Sequence, residues 1–190
     1  MKSTGKFKDD LKIGKAYEDE VIDIFKILFD KDFRKVTKED DPELYLHLDV
    51  VEVQPKGKKK KEFPELITVE CKFSGEKHDD SPNVVIEYQT YDDEPSGICT
   101  SLAKYWVFKT GKFHTIVNRG ELVRTILFDM SHTPSHRKIK VKKFDKKTIM
   151  LVPIELLLNP HLCPSTQRQL TAQAMMNGSI REKEGESPDE

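Results

Sequence analysis

The sequence predicts a single α/β domain, and two patterns near its N-terminus carry that prediction. Between Lys12 and Phe29, apolar residues recur at the three- to four-residue spacing of a helix that buries one side. After it, Leu44 to Val51 alternates apolar and polar residues with the period of two that is typical of a half-buried strand. A chain of 190 residues is long enough for one domain with a sizeable core. We therefore expect residues 1–164 to form that domain.

Shorter runs of the same kind predict the remaining elements. The predicted strands are Leu66–Phe73, Val84–Tyr88, Tyr105–Phe108, Phe113–Val117, the short Ile139–Val141, and Ile149–Val152. Predicted helical segments are a short turn of helix within Pro95–Ala103, a longer helix at Gly120–Phe128, and one that Pro153 opens and Leu158 ends. The order of these elements suggests an antiparallel meander after the first helix. The polar tail, residues 165–190, is predicted to be partly disordered.

Composition narrows the class of protein. Charged residues make up 34% of the chain and hydrophobic residues 36%, and no run is long enough to cross a bilayer. The N-terminus has no apolar signal-peptide core. The three cysteines form no CxxC pair, so neither a zinc site nor a disulfide framework is expected. We therefore expect a protein of the cytoplasm with no membrane partner.

Two basic segments interrupt a chain whose net charge is −1. The first contains Lys58, Lys59 and Lys60, and the second contains Arg137 and Lys138. Such segments are candidates for contacting nucleic-acid phosphates. The first block is equally consistent with a solvated hairpin tip that discourages edge-to-edge aggregation.

Three residues on two predicted strands suggest metal-dependent phosphodiester hydrolysis. Period two places Glu70 and Lys72 on one face of their strand, and Asp49 can approach Glu70 if the two strands pair. Two carboxylates, with the backbone carbonyl of Cys71 as a third ligand, suit Mg²⁺, for which Mn²⁺ is expected to substitute. The metal would activate a bound water, and Lys72 would orient that water or stabilise the transition state. Cys71 itself is expected to face the core.

Two further acids are candidates for the same site. Glu18 falls on the apolar stripe of the first helix, where a carboxylate needs a partner such as a metal-bound water. The alternative is that Glu18 lies at the rim of the stripe. Glu87 interrupts an apolar strand, and we expect it either to join the site or to hold Lys72, the alternative being an exposed acid. Ser96 is expected to be a helix N-cap.

The order of a helix glutamate (Glu18), a strand aspartate (Asp49) and a Glu-x-Lys pair (Glu70, Lys72) resembles the PD-(D/E)XK nuclease superfamily, in particular its small phage-type members. The resemblance covers roughly residues 14–108. It implies a restriction-endonuclease-like fold, which is a mixed β-sheet flanked by α-helices, and magnesium-dependent cleavage of DNA. It also implies a bacterial or phage-infected host cytoplasm, and a homodimer if the protein resolves branched DNA.

Two other functions fit the same residues. In a non-catalytic nucleic-acid-binding module, the basic segments would bind phosphates, and Glu70 and Lys72 would form an ordinary ion pair on the sheet. In a protein-interaction factor, such as the accessory protein of a phage or mobile element, the chain would have no affinity for nucleic acid. Metal dependence and salt-sensitive binding distinguish the three.

Overall fold

The computed structural model describes residues 4–54, 65–73, 81–90, 92–111, 113–144 and 147–158, with side chains from residue 12 onward. Within these ranges the chain forms three α-helices, eight β-strands and short 3-10 turns. In chain order the helices and strands are α1 (Thr4–Phe29), β1 (Phe33–Lys35), β2 (Val50–Glu52), β3 (Thr68–Phe73), β4 (Asn83–Thr90), β5 (Tyr105–Thr110), β6 (Phe113–Asn118), α2 (Arg119–Ser131), β7 (Lys140–Phe144), β8 (Lys147–Pro153) and α3 (Ile154–Leu158). The predicted tail, residues 165–190, lies outside the described residues.

The strands form two sheets. The larger sheet has five strands in the order β1-β2-β3-β5-β6, and the smaller has three in the order β4-β8-β7. Strands β3 and β5 are parallel, whereas every other pair is antiparallel. The larger sheet is therefore mixed, and the α/β class predicted from the sequence is confirmed.

The predicted antiparallel meander is wrong, because β4 leaves the larger sheet. Parallel neighbours need a crossover connection, and β4 lies within the connection from β3 to β5. Strand β4 pairs with β8 instead, and its inward residues Val84 and Ile86 are buried in the core beneath the larger sheet. Alternation within each strand does not reveal which strands pair. The sequence pattern therefore could not predict that β4 pairs with β8 in the smaller sheet.

Helix α1 covers one face of the larger sheet through the apolar stripe that the sequence predicts. Tyr17, Val21 and Phe25 are buried there against Val69 of β3 and Val107 of β5. The helix begins at Thr4 and not at Lys12. Apolar periodicity marks the packed part of a helix, whereas backbone hydrogen bonding continues beyond it.

A second core fills the space between the opposite face of the larger sheet, the smaller sheet and α2. Trp106 and Phe108 of β5, Ile86 of β4 and Leu122 of α2 are completely or almost completely buried in it. Strand β5 therefore has one row of side chains in each core, whereas β3 has only its Val69 row in a core. The predicted second helix is confirmed, and Asn118 caps it by accepting a hydrogen bond from the Gly120 amide at 2.9 Å.

Most of the strand predicted at Leu44–Val51 is wrong. Leu44–Leu46 is a 3-10 turn, and only the end of the segment enters β2. Asp41 stabilises the turn, because its side chain accepts a hydrogen bond from the Leu44 amide at 3.0 Å and its carbonyl accepts one from the Tyr45 amide at 3.0 Å. The alternating apolar residues come from a loop that buries Leu48. Asp49 consequently lies immediately before β2.

The other short elements follow the sequence prediction closely. The helix predicted at Pro153–Leu158 is α3, the short strand predicted near Ile139 is β7, and the turn of helix within Pro95–Ala103 is a 3-10 turn at Gly97–Cys99. In the part of the chain that the structure describes, no helix is long and apolar enough to span a membrane.

Candidate active site

Pairing of β2 with β3 brings Asp49 to the chain segment that carries Glu70 and Lys72. Val50 is opposite Val69, and the Asp49 amide donates to the Val69 carbonyl at 3.0 Å. The Asp49 carboxylate then accepts a hydrogen bond from the Cys71 amide at 2.7 Å. This bond fixes the carboxylate beside the Glu-x-Lys segment, as the sequence predicts.

Glu70 and Lys72 share one face of β3 and contact each other directly. Lys72 Nζ lies 2.5 Å from Glu70 Oε1, and the Ser101 hydroxyl donates to Glu70 Oε2 at 3.4 Å. Lys72 Nζ also lies 5.3 Å from the centre of the Trp106 ring, a cation–π contact. Cys71, between the two, packs on the opposite side against the core under α1, so the predicted facing of β3 is confirmed.

Burial dominates the electrostatics of this cluster. Desolvation raises the pKa of Asp49 above its usual range, although the Cys71 hydrogen bond and the charge of Lys72 oppose it. Desolvation also raises the pKa of Glu70, where Lys72 lowers the pKa and the charge of Asp49 raises it. Burial lowers the pKa of Lys72, but Glu70 and Asp49 outweigh this effect and the net pKa is raised. The site therefore holds two poorly solvated carboxylates and one ammonium group.

Glu18 lies within electrostatic reach of Asp49. Burial raises the pKa of Glu18, and the charge of Asp49 raises it further, while Lys35 lowers it. The Glu18 carboxylate is 3.7 Å from Lys35 Nζ and its side chain is 25% exposed. Position 18 is thus at the partly open edge of the α1 stripe and beside the site. Its part in binding a water stays a prediction.

Glu87 belongs to the smaller sheet and binds other partners. Its carboxylate accepts hydrogen bonds from the Ser96 hydroxyl at 2.8 Å and from Lys147 Nζ at 3.1 Å. Burial raises the pKa of Glu87, but these two bonds lower it more, with a smaller contribution from the charge of Lys72. Ser96 lies at the N-cap position of the 3-10 turn, as predicted, but makes no side-chain capping bond there, because its hydroxyl binds Glu87 instead.

The structure says little about the residues predicted to contact nucleic acid. Lys58, Lys59 and Lys60 lie outside the described residues. Arg137 donates to the His132 carbonyl at 2.9 Å, and Lys138 forms a 3.0 Å ion pair with Glu155.

Three contacts of the candidate residues were not predicted from the sequence. Ser101 contacts Glu70, Lys35 contacts Glu18, and Lys147 contacts Glu87. Each comes from a different segment, and no spacing in the sequence connects it to the carboxylate it contacts. Only the chain path through the two sheets brings these pairs together.

Unpartnered polar atoms border the cluster. Tyr17 Oη, His47 Nδ1 and Trp106 Nε1 are buried and have no hydrogen-bond partner among the described residues. His47 is two residues before Asp49, and Trp106 pairs with Glu70 across β3 and β5. Since buried polar groups are normally hydrogen-bonded, the His47 and Trp106 nitrogens suit a site that receives a polar ligand, whereas Tyr17 packs in the core under α1.

Comparison of the chain with protein-family models, curated proteins and solved structures gave no match.

Proposed function

We propose that this protein is a metal-dependent endodeoxyribonuclease of the PD-(D/E)XK type. One observation carries the proposal: the Asp49 carboxylate is bonded to the Cys71 amide, between Glu70 and Lys72 on β3. An acid from one strand thus meets a Glu-x-Lys pair on the next, which is the arrangement that the resemblance implies. Burial raises the pKa of both carboxylates, and the charge of Asp49 raises that of Glu70 further, so a bound cation would stabilise their charged forms.

The residues present fit Mg²⁺ or Mn²⁺. No group of three or more His, Cys, Asp and Glu side chains that could hold a metal occurs among the described residues. Magnesium, however, is commonly held by one or two carboxylates together with waters and substrate phosphates. Asp49 and Glu70 would supply the carboxylates, and the Cys71 carbonyl stays the predicted third ligand. When bound, the ion lowers the pKa of a water and offsets charge on the phosphate.

The chain's own groups have distinct parts in this proposal. A cation at Glu70 would compete with Lys72, whose ammonium now contacts that carboxylate. The freed ammonium could then orient the attacking water or hydrogen-bond to the phosphate oxygens. Ser101 would keep Glu70 in place through its hydroxyl. Glu18, with its raised pKa, would accept a hydrogen bond from a water beside Asp49.

The test compares DNA cleavage by isosteric variants and by matched controls. Asp49→Asn, Glu70→Gln and Lys72→Met are assayed with Mg²⁺, with Mn²⁺ and with EDTA, on single-stranded, duplex and branched DNA. The controls are Asp23→Asn and Lys26→Met, because these residues form only a weak, exposed 4.0 Å pair on α1.

We expect each site variant to lose about 100-fold or more of the cleavage rate, since removing one group that stabilises a transition state typically costs that much. The control variants should cleave as wild type does, and EDTA should abolish cleavage. Wild-type activity in Asp49→Asn or Lys72→Met would contradict the proposal, as would cleavage that persists in EDTA.

A second candidate is a non-catalytic nucleic-acid-binding module, which the exposure of β7 favours. All five residues of this edge strand are exposed, and three of them are lysines: Lys140, Lys142 and Lys143. Salt-sensitive DNA binding without cleavage, unchanged by Mg²⁺ or Mn²⁺ and by Asp49→Asn, would select this function.

A further inference from the structure

The outer face of the smaller sheet forms an open cleft that leads to Lys72. The cleft encloses about 580 Å³, and its lining includes Lys72 at one side and Lys142 and Lys147 of the β7–β8 hairpin. This volume is within the usual range for ligand pockets, roughly 300–1,000 Å³. One residue of the proposed active site is therefore also part of a second surface.

Alternation along the strands explains why this face is free. Val84 and Ile86 of β4 and Met150 and Val152 of β8 are directed into the core. The residues between them therefore face the cleft, where Val85, Ile149 and Leu151 form an apolar floor. Val85 is 41% exposed even though it is in the middle of a paired strand.

The cleft is also basic. Three lysines and one carboxylate, Glu87, are in its lining. Glu87 is already bonded to Lys147 and to Ser96, whereas Lys142 has no carboxylate partner among the described residues. Ile149 of β8 has Glu87 of β4 on one side and Lys142 of β7 on the other. Lys142 therefore lies across the floor from the ion pair of Glu87 and Lys147.

Lysines beside an apolar floor match an unpaired nucleic-acid strand better than a duplex. A duplex presents its phosphates outward and keeps its bases stacked, so an apolar floor would have nothing to contact. An unpaired strand presents phosphates and the faces of its bases together, and grooves that bind single strands combine cationic side chains with aromatic side chains on which bases stack. In this cleft the apolar floor would take the place of the aromatic side chains.

We propose that this cleft binds an unpaired segment of a nucleic-acid strand, with phosphates at Lys142 and Lys147 and bases over Val85, Ile149 and Leu151. The strand leaves the cleft at Lys72, beside Glu70. Only that last step rests on the proposed nuclease function; binding in the cleft does not require catalysis.

The test is fluorescence anisotropy with labelled oligonucleotides in EDTA, where cleavage by the proposed mechanism does not occur. The probes are oligo(dT), oligo(U), a hairpin duplex of equal length and an abasic strand. The variants are Lys142→Ala combined with Lys147→Ala, and Lys26→Ala as a control lysine on α1.

We expect oligo(dT) or oligo(U) to bind at least tenfold more tightly than the duplex and the abasic strand, and the better of the two shows whether a DNA or an RNA strand is preferred. The double lysine variant should make the slope of log K against log salt less negative by about 1.4, since each phosphate contact to a single strand contributes about −0.7. Lys26→Ala should bind as wild type does.

The proposal is overturned if the duplex binds as tightly as the single strands, if the double lysine variant keeps the wild-type slope, or if wild type binds no probe. Retained binding by a protein without nuclease activity would reject the proposed function and leave this inference intact. Cleavage that is insensitive to the double lysine variant, together with an unchanged slope, would reject this inference alone.

Discussion

Replacing Gly97 by alanine tests whether the turn before Ser101 packs closely against the backbone of β4. Gly97 has a φ of +52°, in the left-handed region that side chains disfavour. A Cβ at this position would lie 2.2 Å from the Glu87 carbonyl oxygen and 2.8 Å from its carbonyl carbon. Both are backbone atoms of a paired strand, so they cannot rotate away as a side chain would.

Two costs add in Gly97→Ala. The left-handed conformation costs a non-glycine residue about 1–2 kcal/mol, and forcing an extra carbon into a filled space costs about 1–3 kcal/mol. The free energy of unfolding should fall by about 2–5 kcal/mol, out of a total that is typically about 5–15 kcal/mol. With the usual dependence on denaturant, the midpoint of urea unfolding should decrease by about 1–3 M.

Gly14→Ala is the matched control, because nothing lies within 4 Å of a Cβ at that position in α1. There alanine should raise the free energy of unfolding by about 1 kcal/mol through its better helix propensity. The two substitutions add the same methyl group and should shift the urea midpoint in opposite directions. A Gly97→Ala midpoint equal to that of wild type would refute the close approach of this turn to β4.

Three further outcomes follow from the site. Mn²⁺ should raise the melting temperature of wild type and not of Asp49→Asn, as measured by scanning calorimetry; an equal rise in both would place metal binding elsewhere. Because burial raises the pKa of Asp49 in the folded protein, its contribution to stability is complete below about pH 4 and is lost as the pH rises through the folded pKa. Asp49→Asn should therefore become progressively more stable than wild type between about pH 4 and pH 7 in metal-free urea titrations, and a constant difference would contradict the burial of this carboxylate. Ser96→Ala should raise the pKa of Glu87 and lower the free energy of unfolding by about 1–3 kcal/mol, because it removes a hydrogen bond to a charged group. DNA cleavage should not change in that variant, and a large loss of cleavage would make Glu87 part of the site.

The facing of side chains on β3 was predictable from the sequence. Strand residues alternate between two sides by geometry alone, so once Val69 and Cys71 are directed to one core, Glu70 and Lys72 must face the other way. The stripe of α1 was predictable for the same reason, because helical geometry fixes which residues share a side. These rules operate over a few residues and need no knowledge of the fold.

The same rules failed where a local hydrogen bond competed with the strand. Leu44 to Leu48 alternates as a strand does, but Asp41 holds the start of this segment in a turn. The position of Asp49 relative to β3 was still anticipated correctly, because Asp49 needs only the first residues of β2 to pair.

The α/β class, the apolar side of α1 and the convergence of Asp49, Glu70 and Lys72 as candidates were predictable from the residues alone. Each of these depends on local geometry and on residue chemistry. The separate sheet of β4, the binding of Glu87 to Ser96 and Lys147, and the basic cleft beside Lys72 became visible only in the folded chain. Those features depend on which distant segments pair, and pairing is decided by the packing of both cores together.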